Sequence, residues 1–189
     1  MNSHNFSWEK VSKLFGQPVN SSAMKSFFAD SGVDTGGLRE YAIGIANKDT
    51  APPKDLAEID LKERCGVRLS FGWGSLYVGF ENLGSEFVLA GIRYYADGED
   101  SAHGYDGSMP FGFTFSDTES AFLAKVPRPS DSQDPGTNET YGYHRWDWDT
   151  YSLHALFRSR TLLLRRVSAF LPMKGYKPVV PPKKLTRVM

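Results

Sequence analysis

Hydrophobic and polar positions change period along the chain. Trp8, Val11, Leu14 and Phe15 recur at helical spacing, and Ser7 stands where a cap belongs. Gly16 and Pro18 then stop the pattern. Met24, Phe27 and Phe28 form a second apolar stripe, capped by Ser21 or Ser22 and closed by Gly32. From about residue 57 the period falls to two. Ile59 and Leu61 alternate with Asp60 and Lys62, and Val67, Leu69 and Phe71 alternate with Arg68 and Ser70. That spacing predicts strands with one buried and one wet face, as in an antiparallel sheet. Further strands are predicted over 75–80, 87–95, 109–115, 151–157 and 161–171, with a short one over 41–45. The link Arg158-Ser-Arg160 suits a hairpin. A third helix is predicted after Ser116 or Asp117, with Glu119 in its first turn and Pro127 and Pro129 beyond it.

These elements predict an α+β fold: one domain over residues 1–173, with a twisted antiparallel sheet of about six strands and about three helices on one side. A chain of 189 residues buries roughly 70% of its unfolded surface and needs no staple. With 40% hydrophobic and 23% charged residues it is neither a disordered chain nor a long coiled coil. A single cysteine, Cys65, excludes an internal disulfide and any multi-cysteine zinc site. It is read as a small buried hydrophobe. No basic n-region followed by an apolar stretch opens the chain, and no apolar run approaches the roughly 20 residues of a membrane span. A cytoplasmic protein is the expectation.

The formal net charge of zero conceals a gradient. Residues 174–189 hold five basic side chains and no acid, together with Pro178, Pro181 and Pro182, so a basic tail, extended or disordered, is expected. The preceding 173 residues keep 17 basic and 22 acidic side chains, a formal −5. Neither part has the basic face on a folded element that nucleic-acid binding requires.

Motifs for chemistry are sparse. No Gly-x-Ser-x-Gly elbow and no Gly-rich phosphate loop occur. His144, Asp147 and Asp149 are metal-competent types, but alternation on a strand sends His144 to the opposite face, so no metal site is expected. The acidic loop from Asp97 to Asp106 lacks the residue order of a calcium loop. No cofactor is implied and no enzyme is indicated.

The order of segments resembles a known group. It comprises the first helix ending Leu14-Phe-Gly-Gln-Pro18, Gly66-Val-Arg-Leu-Ser-Phe71 and Val88-Leu-Ala-Gly-Ile-Arg-Tyr-Tyr95. After these come Tyr105-Asp-Gly-Ser-Met-Pro-Phe-Gly-Phe-Thr-Phe115, a helix ending near Pro127-Arg-Pro129 and a closing strand pair. Over roughly residues 8–171 this resembles the small single-domain immunity proteins encoded beside bacterial polymorphic and contact-dependent toxins. The family pattern is Tyr-x-Gly-x-Leu-Pro-x-Gly-Leu-x-Phe; Met109 stands here in place of its Leu, and Pro127 in place of the glycine in its Leu-Gly-x-Pro. The resemblance implies a non-catalytic inhibitor that binds one cognate toxin domain, blocking its active site or locking it in an inactive shape. An acidic body steers toward a basic partner such as a nuclease. The expected contact surface is the acidic loop, Asp97, Glu99, Asp100 and Asp106, with Tyr94 or Tyr95. The Trp146-Asp147-Trp148-Asp149 edge is the second. Two other readings stand beside this one: a small hydrolase reversing a toxin modification, built on His144, Asp147 and Asp149, and an interaction module of a secretion system.

Overall fold

The computed structural model describes residues 3–34, 56–126, 129, 131–133, 141–159 and 161–175. Among the described residues, seven antiparallel strands form one sheet: β1 (Leu56–Leu61), β2 (Val67–Trp73), β3 (Phe87–Tyr95), β4 (Asp131–Gln133), β5 (Tyr141–Asp147), β6 (Ser152–Arg158) and β7 (Leu164–Phe170). Their spatial order is β1-β2-β3-β7-β6-β5-β4. Two meanders thus meet where β7 lies against the second half of β3, with Ile92 opposite Ala169 and Tyr94 opposite Val167. Beside the first half of β3, Gly16 N–H donates to Leu89 O at 2.9 Å and Val19 N–H to Phe87 O at 2.8 Å. The chain following the first helix therefore continues the ladder where β7 does not reach.

Register aligns the apolar positions into rows. Ile59, Leu69, Ile92, Ala169, Leu153 and Trp146 are successive cross-strand partners from β1 to β5. Their period of two leaves Asp60, Arg68, Arg93, Ser168, His154 and Arg145 as the matching row on the other face. The helical segments over 3–14, 22–31, 62–65 and 119–123 pack on the apolar face, as the two-layer expectation requires. Phe6, Val11, Met24, Phe27, Phe28 and Phe122 join the strand residues in one buried cluster. Burying each such large side chain contributes about 1.5–3 kcal/mol. A shift of register between Ser70 and Phe71 turns Val88 and Ala90 to the opposite face. There they form a smaller cluster with Tyr77 and Leu171.

The helices are short. The first predicted helix is one α-turn, α1 (Trp8–Val11), followed by a 3-10 turn over Ser12–Leu14. Ser7 makes no side-chain cap bond there. The second is as expected: α2 (Ser22–Ser31) begins with Ser21 Oγ accepting from Met24 N–H and ends on Gly32 at φ 66°. A one-turn helix, α3 (Lys62–Cys65), interrupts what reads as continuous alternation between β1 and β2. The last, α4 (Glu119–Leu123), is capped by Thr118, not by Ser116 or Asp117.

Two predicted strands are not strands. Residues 75–80 begin inside a 3-10 turn at Gly74–Leu76 and run up to another at Glu81–Leu83. Residues 109–115 are built around a 3-10 turn at Pro110–Gly112. In both, glycines at positive φ (Gly79 at 86°, Gly112 at 66°) break the extended backbone that alternation implies. The predicted strand over 41–45 and most of the basic tail lie outside the described residues.

Two glycines allow a comparison of backbone and packing costs. Gly66 (φ 68°) ends α3, and a Cβ there would stand 2.3 Å from His103 O and 2.5 Å from Tyr105 N. Gly32 has nearly the same φ, and nothing lies within 4 Å of its added Cβ. Gly32→Ala is expected to cost about 1–2 kcal/mol, the price of a left-handed alanine. Gly66→Ala is expected to cost clearly more, because the backbone of His103 and Tyr105 blocks the methyl. Urea denaturation midpoints of the two variants check the ordering.

Candidate functional site

Each acid of the acidic loop has a partner within the molecule, and Glu99 alone of the four is buried. Asp100 is half exposed but lies 2.9 Å from Lys62 Nζ and 3.8 Å from Arg68. The Lys62 hydrogen bond holds its carboxyl below the ordinary range. Glu99 is buried, and its Oε2 accepts from Tyr141 and from Arg165 Nε, both at 3.3 Å. Asp97 is exposed and accepts from Gly104 N–H at 3.2 Å. Asp106 is exposed and accepts from the Ser3 hydroxyl. The ladder continues across the polar sheet face, where Arg68 reaches Asp60 at 2.6 Å and Arg93 reaches Glu58 at 3.1 Å.

The aromatic residues expected beside this loop are core residues. Tyr94 and Tyr95 are fully buried. Tyr94 donates to Phe6 O at 3.1 Å and packs on Tyr105, and Arg68 covers the Tyr95 ring. Neither side chain can anchor a partner from this position. The second expected surface is corrected in the same way. Trp146, Asp147 and Trp148 are buried, and of the four only Asp149 is exposed. Trp146 packs on Phe122, while Asp147 accepts from Ser152 Oγ at 2.6 Å and Arg145 Nε at 3.0 Å on the other face. His144 shares the Trp146 face, so the His144, Asp147 and Asp149 trio does not converge. Among the described residues no group of His, Cys, Asp and Glu could hold a metal ion.

A cleft of about 320 Å³ lies beside the loop, lined in part by His4, Arg64, Cys65, His103 and Asp106. Its thiol is inert. Burial pushes Cys65 up to about 11, and its Sγ donates to Leu61 O at 3.6 Å.

A different residue is presented outward. Phe111 is 37% exposed, and its backbone is left-handed at φ 56°. A non-glycine residue held there costs on the order of 1–3 kcal/mol and persists only when its surroundings fix it. Here they do. Gly112 N–H donates to Met109 O at 3.2 Å and Phe113 N–H to Pro110 O at 3.1 Å. Lys125 Nζ donates to Gly112 O at 3.0 Å and pairs with Asp117 at 2.7 Å. The Phe111 ring rests against Phe113 at 5.6 Å and Trp148 at 5.7 Å, and Tyr151 and half-buried Trp8 continue the cluster. Exposed Asp149 follows Trp148 directly in the chain. Sequence reading missed Phe111 because an apolar residue in an apparent strand looks like core. The Pro-x-Gly frame around it was the available signal for a turn.

Comparison of the chain with family models, curated proteins and solved structures gives no match. Among the described residues no helix is long and apolar enough to cross a membrane.

Two measurements test this local chemistry. Raising the Cys65 thiol from 9.0 to about 11 cuts its thiolate fraction about 100-fold at pH 8. Iodoacetamide should therefore label the native protein at least that much more slowly than the urea-unfolded chain. For Asp117, burial pushes the carboxyl up, but Lys125 and the Thr114 N–H outweigh it and leave it lowered from 3.8. A lowered carboxyl stabilises the fold above its unfolded value and loses that contribution as pH falls through the folded one. Lys125→Met should cost under about 1 kcal/mol at pH 7. The difference from the parent chain should shrink as pH drops below 3.8, read from urea midpoints at each pH.

Proposed function

We propose that this protein is an immunity protein, binding a cognate bacterial toxin domain and neutralising it without turnover. The observation that carries the proposal is Phe111. A large aromatic side chain is held outward on a strained, hydrogen-bonded turn with its rotation limited by two neighbouring rings. Such a group loses little further freedom on binding, which favours it as an interface anchor. The resemblance in segment order over roughly residues 8–171 supports the same reading. The formal −5 of residues 1–173 favours a basic partner, as many nuclease domains are. Asp149, beside the aromatic cluster, supplies charge at the rim of that surface, where it acts mainly on association rate. The binding face is thus centred on Phe111, in place of the acidic loop.

The test is co-expression with the toxin domain encoded next to this gene, followed by calorimetry. A 1:1 complex is expected. Phe111→Asn keeps a residue type that tolerates left-handed backbone and removes the ring. It should weaken binding by about 30-fold or more while moving stability by no more than about 1 kcal/mol. Absence of any complex with the neighbouring toxin overturns the immunity reading. A complex indifferent to Phe111→Asn overturns the assignment of the surface alone.

A further inference from the structure

The geometry points to a reactive serine that the binding reading does not use. Ser132, His144 and Glu119 form a nucleophile relay, and we assign it acyl-transfer chemistry on small activated esters. Ser132 Oγ lies 2.9 Å from His144 Nδ1, and His144 Nε2 lies 2.5 Å from Glu119 Oε1. An ionised carboxylate only accepts, so Nε2 carries the ring proton. Nδ1 then presents a lone pair to the serine hydroxyl, the state a general base requires. The ring nitrogens exchange the positions they hold in most serine triads, and the acid–base logic is unchanged.

The fold fixes each member. Ser132 is the direct cross-strand partner of His144, so the two side chains share a face. His144 is 7% exposed, and the rings of Phe157 at 5.6 Å and Trp146 at 6.0 Å hold its plane. Glu119 opens α4 above that face, tied down by its own N–H donating to Leu162 O at 2.8 Å. Ser132 itself is exposed, on a three-residue strand at the end of the sheet. The base is dry and oriented, and the hydroxyl is reachable.

In the step, Ser132 Oγ forms a bond to the carbonyl carbon as its proton passes to His144 Nδ1. The tetrahedral adduct breaks its bond to the ester oxygen, which takes that proton from His144 and leaves as the alcohol. Water then bonds to the acyl carbon as its proton passes to the same nitrogen, the Ser132 Oγ–carbon bond breaks, Oγ takes that proton and the acid leaves. Glu119 is a positioning residue: it holds the tautomer and stabilises the imidazolium that forms.

The test uses the full-length chain without a partner, so it is independent of toxin binding. A fluorophosphonate probe loses fluoride when the serine oxygen attacks phosphorus. Mass spectrometry of the digest should find the adduct on Ser132 in the parent protein and none at that position in S132A. E119Q should label at least about 10-fold more slowly and E119D should regain part of the rate, a difference that a purely structural hydrogen bond does not produce. S132C provides a second measure: its thiol beside His144 should take iodoacetamide faster than buried Cys65. No adduct on Ser132 in the folded parent protein, or equal labelling of E119Q and parent, overturns the assignment.

Discussion

The rest of the structure depends on one constraint: six strands must keep their apolar positions in register across the sheet. Ile59, Leu69, Ile92, Ala169, Leu153 and Trp146 come from segments up to 110 residues apart, yet are consecutive cross-strand partners. A slip of one residue toward the other row would put Asp60, Arg68, Arg93, Ser168, His154 or Arg145 into the apolar row and an apolar residue into water. The short helices add little order of their own. α1, α3 and α4 are each four or five residues, too short to persist without the sheet beneath them. Phe122 and Val11 are fully buried because the row is there to receive them.

This dependence explains what the sequence discloses and what it hides. Where local pattern and final environment agree, reading the period is enough. Val67, Leu69 and Phe71 alternate and are fully buried; Met24, Phe27 and Phe28 recur at helical spacing and line the core. Where one residue type serves two environments, the period misleads. Residues 109–115 carry as many large apolar groups as a strand, but Phe111 and Gly112 both have positive φ, and the chain turns there. Lys62 to Cys65 continues the alternation of β1, yet Gly66 at φ 68° closes a helical turn before β2. Nothing within a short window distinguishes these cases, because the deciding contacts come from elsewhere. For Gly66 they are His103 and Tyr105, nearly 40 residues on.

The acidic loop shows the same limit in electrostatic form. Composition gave four acids in ten residues and suggested an outward field. The fold spends two of them on cations brought by other elements: Lys62 and Arg68 for Asp100, Arg165 for Glu99. Tyr94 and Tyr95 were placed beside the loop by chain order and inside the molecule by the register of β3 against β2 and β7. Tyr94 and Tyr95 in that central strand are covered on their faces, whereas Phe111, on a turn, is left 37% exposed.

Phe111 and the His144 relay then share a physical origin. Each lies where the apolar layer ends and α4 closes it. Glu119, the first residue of that helix, reaches His144; Lys125, just past its end, holds the Gly112 carbonyl beside Phe111; Phe122, between them, stacks on Phe113 at 3.8 Å and meets the rings of Trp146 and Phe157. A five-residue helix thus couples the two features through one buried ring. Removing the Phe122 ring would cost about 3–5 kcal/mol and disturb both at once. Changes at Lys125 or Glu119 act on one side only. That asymmetry follows from the core ring being shared while the two polar groups reach to opposite ends.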